Sequence, residues 1–404
     1  MTSTIPVFSP YDYSFHEDPY PMYAALRENA PVYHNADLGF WAISRHADVG
    51  AAFRDNEAFS AAMGVSLDPT AYGPHAYKTM SFLAMDDPRH NQLRRLVNKG
   101  FTPRRVTGLA EQITELTERY WGECLDKARR GEAIDFVDDF AGKLPMDVIS
   151  ELMGVPEADR ARLRALADQV MHREEDVFDV PEEAVTAAFE LIAYYQDLIS
   201  ARRAEPRDDL TSALITAEVD GDRLAEDEVL SFLFLMVIAG NETTTKLLSN
   251  AMYWADHFPE TKAAVLADSG RVEDWIEETL RFDTSSQMVL RTTKNEVTIG
   301  DTTIPAGEKV LLLIGSANRD PAVFDRPDTY DIDRGNWDGL MSFGVGTHFC
   351  LGAHMARLEA QISLRHIAET VAGFSVLPGA ERVHSTNVRG FAHLPLELTL
   401  PGES

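Results

Sequence analysis

The chain has 404 residues, 45% hydrophobic and 25% charged, enough to bury a large core. A formal net charge of −28 argues against nucleic acid as a general partner. Residues 1–10 lack the basic start and apolar run of a signal peptide, and the longest apolar stretch, 232–240, is far short of the ~18 residues of a membrane span. Two cysteines, Cys124 and Cys350, make no disulfide framework, so a reducing cytoplasm is expected.

In chain order, helical periodicity covers residues 19–29, followed by a short β-rich stretch at 39–44 and a helix at 47–56. It continues through 91–97, 109–129, 144–153 and 157–171, breaks at an acidic loop, 174–179, and resumes at 181–203, where Pro181 suits a first helical turn. Residues 226–257 read as one apolar-rich helix ending before Pro259. At 1.5 Å per residue it runs roughly 45 Å, through the middle of a domain this size. Further helices fit 272–282 and 351–371, and strand signals gather at 296–299, 309–313 and 396–400. The predicted class is mainly α with small β-sheets.

Arg89, Arg94, Arg95, Lys99, Arg104 and Arg105 fall in one segment without Asp or Glu. On charge alone this is a solvated helix face or a docking site for an acidic partner.

The strongest chemistry lies in Phe343-Gly344-Val345-Gly346-Thr347-His348-Phe349-Cys350-Leu351-Gly352. Alternate glycines permit a tight turn and let backbone approach a flat ligand. Cys350 directly precedes a helical pattern, where amide N–H groups and the helix dipole favour a thiolate. The residues alone also allow a structural turn beside an inert thiol, or a zinc site from His348, Cys350 and His354, although no Cys-x-x-Cys pair accompanies it. Three other patterns stand out. Glu278 and Arg281 are neighbours on one helix face. Ala239-Gly240-Asn241-Glu242-Thr243-Thr244 is a polar insertion in the long helix, where threonine hydroxyls can bond to carbonyls and produce a kink or bulge. His90 and Arg94, four apart, are donors suited to a carboxylate.

The decapeptide resembles the haem-binding loop of the cytochromes P450, matching Phe-Gly-x-Gly-x-His-x-Cys-x-Gly at every fixed position. The resemblance runs from Pro19-Tyr20 to the terminal strands and includes Asn318-Arg319-Asp320-Pro321. It implies the P450 fold as a single, monomeric domain over residues 1–404, with a long central helix over haem b and a cysteine loop before a proximal helix. By it, Cys350 is the iron ligand, within a loop formed with Gly344 and Gly352; Phe343 lies against the sulfur, and His90, Arg94, Arg291 and His348 hold the propionates. Glu278 and Arg281 form a buried ion pair joined by Arg334. Gly240 opens a groove for dioxygen, while Thr243 and Glu242 deliver protons.

Family members that work directly with peroxide tend to lack that acid–alcohol pair. Its presence implies O2 as oxidant, with electrons from NAD(P)H through a reductase and an acidic ferredoxin docking on Arg95, Lys99, Arg104 and Arg105. Positional analogy lines the substrate pocket with Met63, Val65, Ile238, Ala239, Met288, Val289 and Phe391, and lets Ser285, Ser286 and Gln287 orient a polar substituent. The implied activity is a haem-thiolate monooxygenase inserting one oxygen atom into a medium-sized apolar substrate, by hydroxylation or epoxidation. The alternatives are a haem-thiolate protein that binds ligand without oxygenating it, and the zinc hydrolase.

Overall fold

The structure, a computed structural model, describes residues 7–98, 101, 108–171, 179–219 and 221–402. Lys99, Arg104 and Arg105, and all of the acidic stretch 174–179 except Asp179, lie outside them. The architecture is mainly helical, organised around the helix Glu226–His257. Glu226, Asp227 and Glu228 crowd its first turn, where negative charge complements the dipole, and the Glu228 carboxylate accepts the Ala225 backbone N–H at 2.9 Å. Most of its length is buried, including Val229, Phe232, Leu233, Leu247 and Met252. It packs against the helices Leu144–Met153, Glu157–Met171, Glu182–Ala204, Val272–Phe282 and Ala353–Thr370. The helix runs unbroken through 239–244, where a kink was expected. There the hydroxyls of Thr243 and Thr245 bond to the carbonyls of Ala239 (2.8 Å) and Asn241 (3.0 Å) without opening the ladder.

The largest sheet has five strands in the order Val32–Asn35, Phe40–Ile43, Lys309–Leu313, Met288–Thr293, Phe59–Ser60. The third pairs parallel with the second and antiparallel with the fourth, placing Val310 opposite Arg291 and Leu312 opposite Val289. Side chains alternate along a strand, so Val289 and Arg291 share one face of Met288–Thr293, while Met288 and Leu290 enter a separate apolar cluster with Phe8 and Phe40.

Two elements differ from expectation. Pro259 begins a helix, Pro259–Ala267, as well as ending its predecessor, because proline's missing N–H costs nothing in a first turn. The strand Met288–Thr293 carries no alternation of apolar and polar residues, since it is interior to the sheet and buried on both faces.

A polar hub ties the N-terminal and C-terminal segments to the core. The buried Asp283 carboxylate accepts from Arg389 Nε (2.6 Å), Tyr20 Oη (2.7 Å) and Trp254 Nε1 (2.8 Å), and Arg382 lies 3.2 Å away. Burial opposes its charge, but the two guanidiniums and these donors outweigh it and hold the carboxyl far below the usual range.

Candidate active site

The Cys350 loop is shaped by glycines. Gly344 and Gly346 adopt φ values of +67° and +76°, which side chains disfavour, and a Cβ on Gly346 would meet the Phe53 carbonyl oxygen at 3.1 Å. The turn is closed by Cys350 N–H donating to Phe343 O at 2.9 Å. Cys350 is open to an interior chamber yet enclosed by protein, and that enclosure raises its thiol pKa. The amides of Gly352 and Ala353 and the guanidiniums of Arg94 and Arg357 oppose the rise without cancelling it. The expected depression is therefore absent from the thiol as it stands. A coordinating metal would remove that proton outright. The Arg357 guanidinium lies 4.5 Å from the Phe343 ring centroid, and Phe343 also lines the chamber.

Opposite the loop stand Ala239, Gly240 and Thr243 of the central helix, with Val289 and Arg291 on the strand face described above. Gly240 also lets two helices close, because a Cβ there would touch Ile149 Cγ1 at 3.4 Å.

Four basic groups gather at one edge, and among the described residues three of them, Arg94, Arg291 and His348, make no ion pair. His90 is fully buried and neither ring nitrogen makes a hydrogen bond; Asp87 Oδ1 is 3.7 Å from Nδ1. The His348 ring lies 4.1 Å from it, also with an unpaired Nδ1. Burial, then Arg291, His90 and Arg94, push the His348 pKa down to about 2. Among the described residues, Arg94 donates to the loop carbonyls of Thr347 (3.2 Å) and Phe349 (2.5 Å). Arg291 donates to Leu290 O at 2.8 Å and makes no ion pair among the described residues. Burial lowers its pKa to about 10, against a weak opposing pull from Asp86.

Buried donors and cations are normally paired. Two histidines with unpaired ring nitrogens and two arginines without a carboxylate partner among the described residues, set around an apolar slot that ends at a cysteine sulfur, fit a planar, dianionic metal macrocycle such as haem. Arg291→Met is accordingly expected to act oppositely on two states. The apoprotein loses an uncompensated buried charge and becomes more stable by about 1–3 kcal/mol. The haem-loaded protein loses a charged hydrogen bond worth about 1.5–3 kcal/mol, so haem transfer to apomyoglobin quickens roughly ten- to a hundredfold. Denaturant unfolding of apoprotein and the transfer rate check the two signs.

Glu278, Arg281 and Arg334 meet. Arg281 clasps Glu278 with two bonds of 2.7 and 2.8 Å, both side chains fully buried, and Arg334 Nε reaches Glu278 Oε2 at 3.3 Å. Glu278 also accepts the Asp331 N–H, and Arg281 donates to the carbonyls of Asn318, Pro327 and Thr329. The cluster thereby pins the segment leading into the cysteine loop.

Other sequence expectations need correction. Of the seven anticipated pocket residues, only Ala239 and Val289 line the Cys350 chamber. Met288 is on the opposite strand face, and Phe391 is packed against Tyr253 and Arg382. Met63 faces a surface groove with Arg89 and Glu228. Val65 meets the Met288–Thr293 strand through its backbone, accepting from Leu290 N–H, and Ile238 turns into the main core. Phe82, Leu83, Leu235, Met236 and Leu247 line the chamber instead, with Thr284, Ser285 and Ser286 among its polar groups. Gln287 is held by Thr284 O, Tyr20 and Tyr23 and is not free to meet a ligand. Glu242 faces away from Thr243 into a different cavity, where Lys246 Nζ lies 3.1 Å from its carboxylate. Arg89, one of the six clustered cations, is bound to Glu228 and Asp222. The zinc alternative fails on geometry. Among the described residues, the one grouping of metal-ligating side chains is Asp135, Asp138 and His393, far along the chain from Cys350, and His348, Cys350 and His354 do not converge.

Comparison with known proteins agrees with this arrangement. Residues 40–389 match the family described as Cytochrome P450. The protein designated cytochrome P450 123 of Mycobacterium tuberculosis is 58% identical over 393 residues, 97% of each chain. The solved structure of CYP109Q5 from Chondromyces apiculatus superposes with a TM-score of 0.87 at 33% identity, covering 99% of this chain and 100% of that one. CYP109E1 from Bacillus megaterium, solved with testosterone, gives a TM-score of 0.82 at 30% identity over 94% and 99% of the two chains. No helix among the described residues is long and apolar enough to cross a membrane. The chain belongs to the cytochrome P450 family and is a monooxygenase that uses haem, with electrons reaching it from NAD(P)H through redox partners.

Proposed function

We propose that this monooxygenase inserts one oxygen atom from O2 into a medium-sized, largely apolar molecule of steroid, terpenoid or polyketide type, with hydroxylation as the outcome. The observation that carries this reading is the wall above Cys350. Phe82, Leu83, Leu235, Met236, Ala239, Leu247 and Val289 supply apolar surface, and the hydroxyls of Thr243, Thr284, Ser285 and Ser286 are among its few polar groups. Such a lining favours burial of hydrocarbon and orients through one or two hydrogen bonds. Testosterone in the neighbour CYP109E1 is of this chemical class.

Haem, if held by Cys350 as thiolate, would supply the redox chemistry, electron donation from the sulfur favouring O–O cleavage. The chain's own residues would do the rest: Arg94 and Arg291 would offset the charge of the propionates, His90 and His348 would donate hydrogen bonds to them, and Thr243 holds a hydroxyl at the chamber wall where protons are needed. Electrons come from a separate acidic ferredoxin and its reductase. Arg95, Lys99, Arg104 and Arg105 form the docking segment, supported by a run of cations on a chain of net charge −28. Arg94, beside Arg95, donates to the carbonyl of Phe349, so this helix abuts the cysteine loop.

Titrating ferric holoprotein with testosterone, palmitic acid and citrate tests the substrate class. A saturable blue shift of the Soret band with testosterone, absent with citrate, is expected. A response to citrate with none to either apolar ligand overturns the reading.

A further inference from the structure

Residues 283–287, between the helix Val272–Phe282 and the strand Met288–Thr293, contribute one wall of the Cys350 chamber. Their backbone is tied at each step. Asn250 Nδ2 donates to Asp283 O at 2.9 Å, Gln287 Nε2 to Thr284 O at 2.8 Å, and Arg389 N–H to Ser285 O at 2.8 Å. Gln287 N–H donates in turn to Asn387 O at 2.9 Å, and Ser286 pairs with Val388. The side chains of Asp283 and Gln287 are held as well, the first by Tyr20, Trp254 and Arg389, the second by Tyr23. Two groups on this rigid wall are left out. Thr284 Oγ1 and Ser285 Oγ are buried, in residues 1% and 5% exposed, and neither meets a hydrogen-bond partner among the described residues. Both residues line the chamber.

A buried hydroxyl without a partner is unfavourable, so a fixed pair of them at a chamber wall points to an acceptor that arrives with the ligand. The macrocycle does not provide it. Its only oxygens are the propionates, and on the reading above these meet His90, Arg94, Arg291 and His348. The acceptor is also uncharged. Arg382 and Arg389, the cations behind this wall, are paired with Asp283. An ionised carboxylate would therefore lose more hydration than two neutral hydroxyls return. A carbonyl oxygen has two lone pairs, one for each hydroxyl.

We infer that Thr284 and Ser285 together hold an uncharged carbonyl oxygen of the substrate, so that within the apolar class the enzyme selects ketones, lactones or esters over hydrocarbons and carboxylic acids. The inference deepens the proposed substrate class and rests on it.

The test titrates ferric holoprotein with adamantane, 2-adamantanone, 2-adamantanol and 1-adamantanecarboxylate, which share one cage and differ in its polar group, and follows the Soret band. The wild type is expected to bind the ketone about tenfold more tightly than the hydrocarbon or the alcohol, and the carboxylate most weakly. Thr284→Val and Ser285→Ala should each weaken the ketone about three- to tenfold and leave adamantane unchanged. Ligand-free Thr284→Val holoprotein should unfold in urea at the wild-type midpoint or above it, since the hydroxyl removed satisfies nothing in the fold. Equal loss for ketone and hydrocarbon overturns the anchor. So does an alcohol or carboxylate bound as tightly as the ketone, or a lowered midpoint. A protein that responds to the cages but not to testosterone defeats the steroid-sized reading while the anchor is still measured. One that responds to neither defeats that reading too, and the urea midpoints then decide the anchor alone.

Discussion

Cys350→Ser is expected to abolish dioxygen-driven turnover, by a thousandfold or more, which is about 4 kcal/mol in barrier. The loss arises in electronic push rather than in folding. The loop turn is set by Gly344, Gly346 and the Cys350 N–H to Phe343 O bond, none of which needs sulfur. The four basic groups at the chamber edge remain, so haem should still bind, though more weakly. What disappears is the thiolate. A serine hydroxyl is hard, far less acidic than a thiol, and donates little electron density to the metal. The reduced, carbon monoxide-treated variant should therefore lack the red-shifted Soret band that the wild type shows. A serine variant with a wild-type carbon monoxide spectrum and normal turnover would remove Cys350 from the chemistry altogether.

How much of this was legible in the sequence depended on the range of the interactions. The helices 226–257 and 272–282 were bounded correctly to the residue because their start and stop signals are local: acids in the first turn, and an apolar stripe that ends. The cysteine loop was legible because its constraint is also local, two positive-φ glycines and a residue facing the turn. Long-range pairings left no trace. Asp283 meets Arg389, 106 residues away, and nothing near either residue announces the partner. The substrate wall was misread for a geometric reason. Listing Met288 beside Val289 ignores that neighbours on a strand face opposite ways, so one of the two had to be wrong. Placing Glu242 with Thr243 ignores the 100° that separates consecutive helical residues.

Glu278→Gln is expected to destabilise the protein by about 3–5 kcal/mol, the cost of leaving a buried charge without its partner. Here two guanidiniums are stranded at once. Arg281 is fully buried, and Arg334 is nearly so. Both retain bonds to backbone carbonyls, Arg281 to Asn318, Pro327 and Thr329, and Arg334 to Thr329 and Arg326. Those carbonyls satisfy donors but carry no compensating charge. Glutamine keeps one acceptor for Arg281 and replaces the other oxygen with an NH2 that faces a guanidinium or the Asp331 N–H. Because those carbonyls belong to the segment before the cysteine loop, the damage should reach the cofactor. Urea unfolding of the holoprotein should show a lowered midpoint, with haem released before the helices melt. Arg281→Lys should not rescue, since a single ammonium cannot make the paired bonds or reach three carbonyls. If Glu278→Gln instead unfolded at the wild-type midpoint with haem retained, the pair would contribute nothing, and the cysteine loop would be held by its own turn.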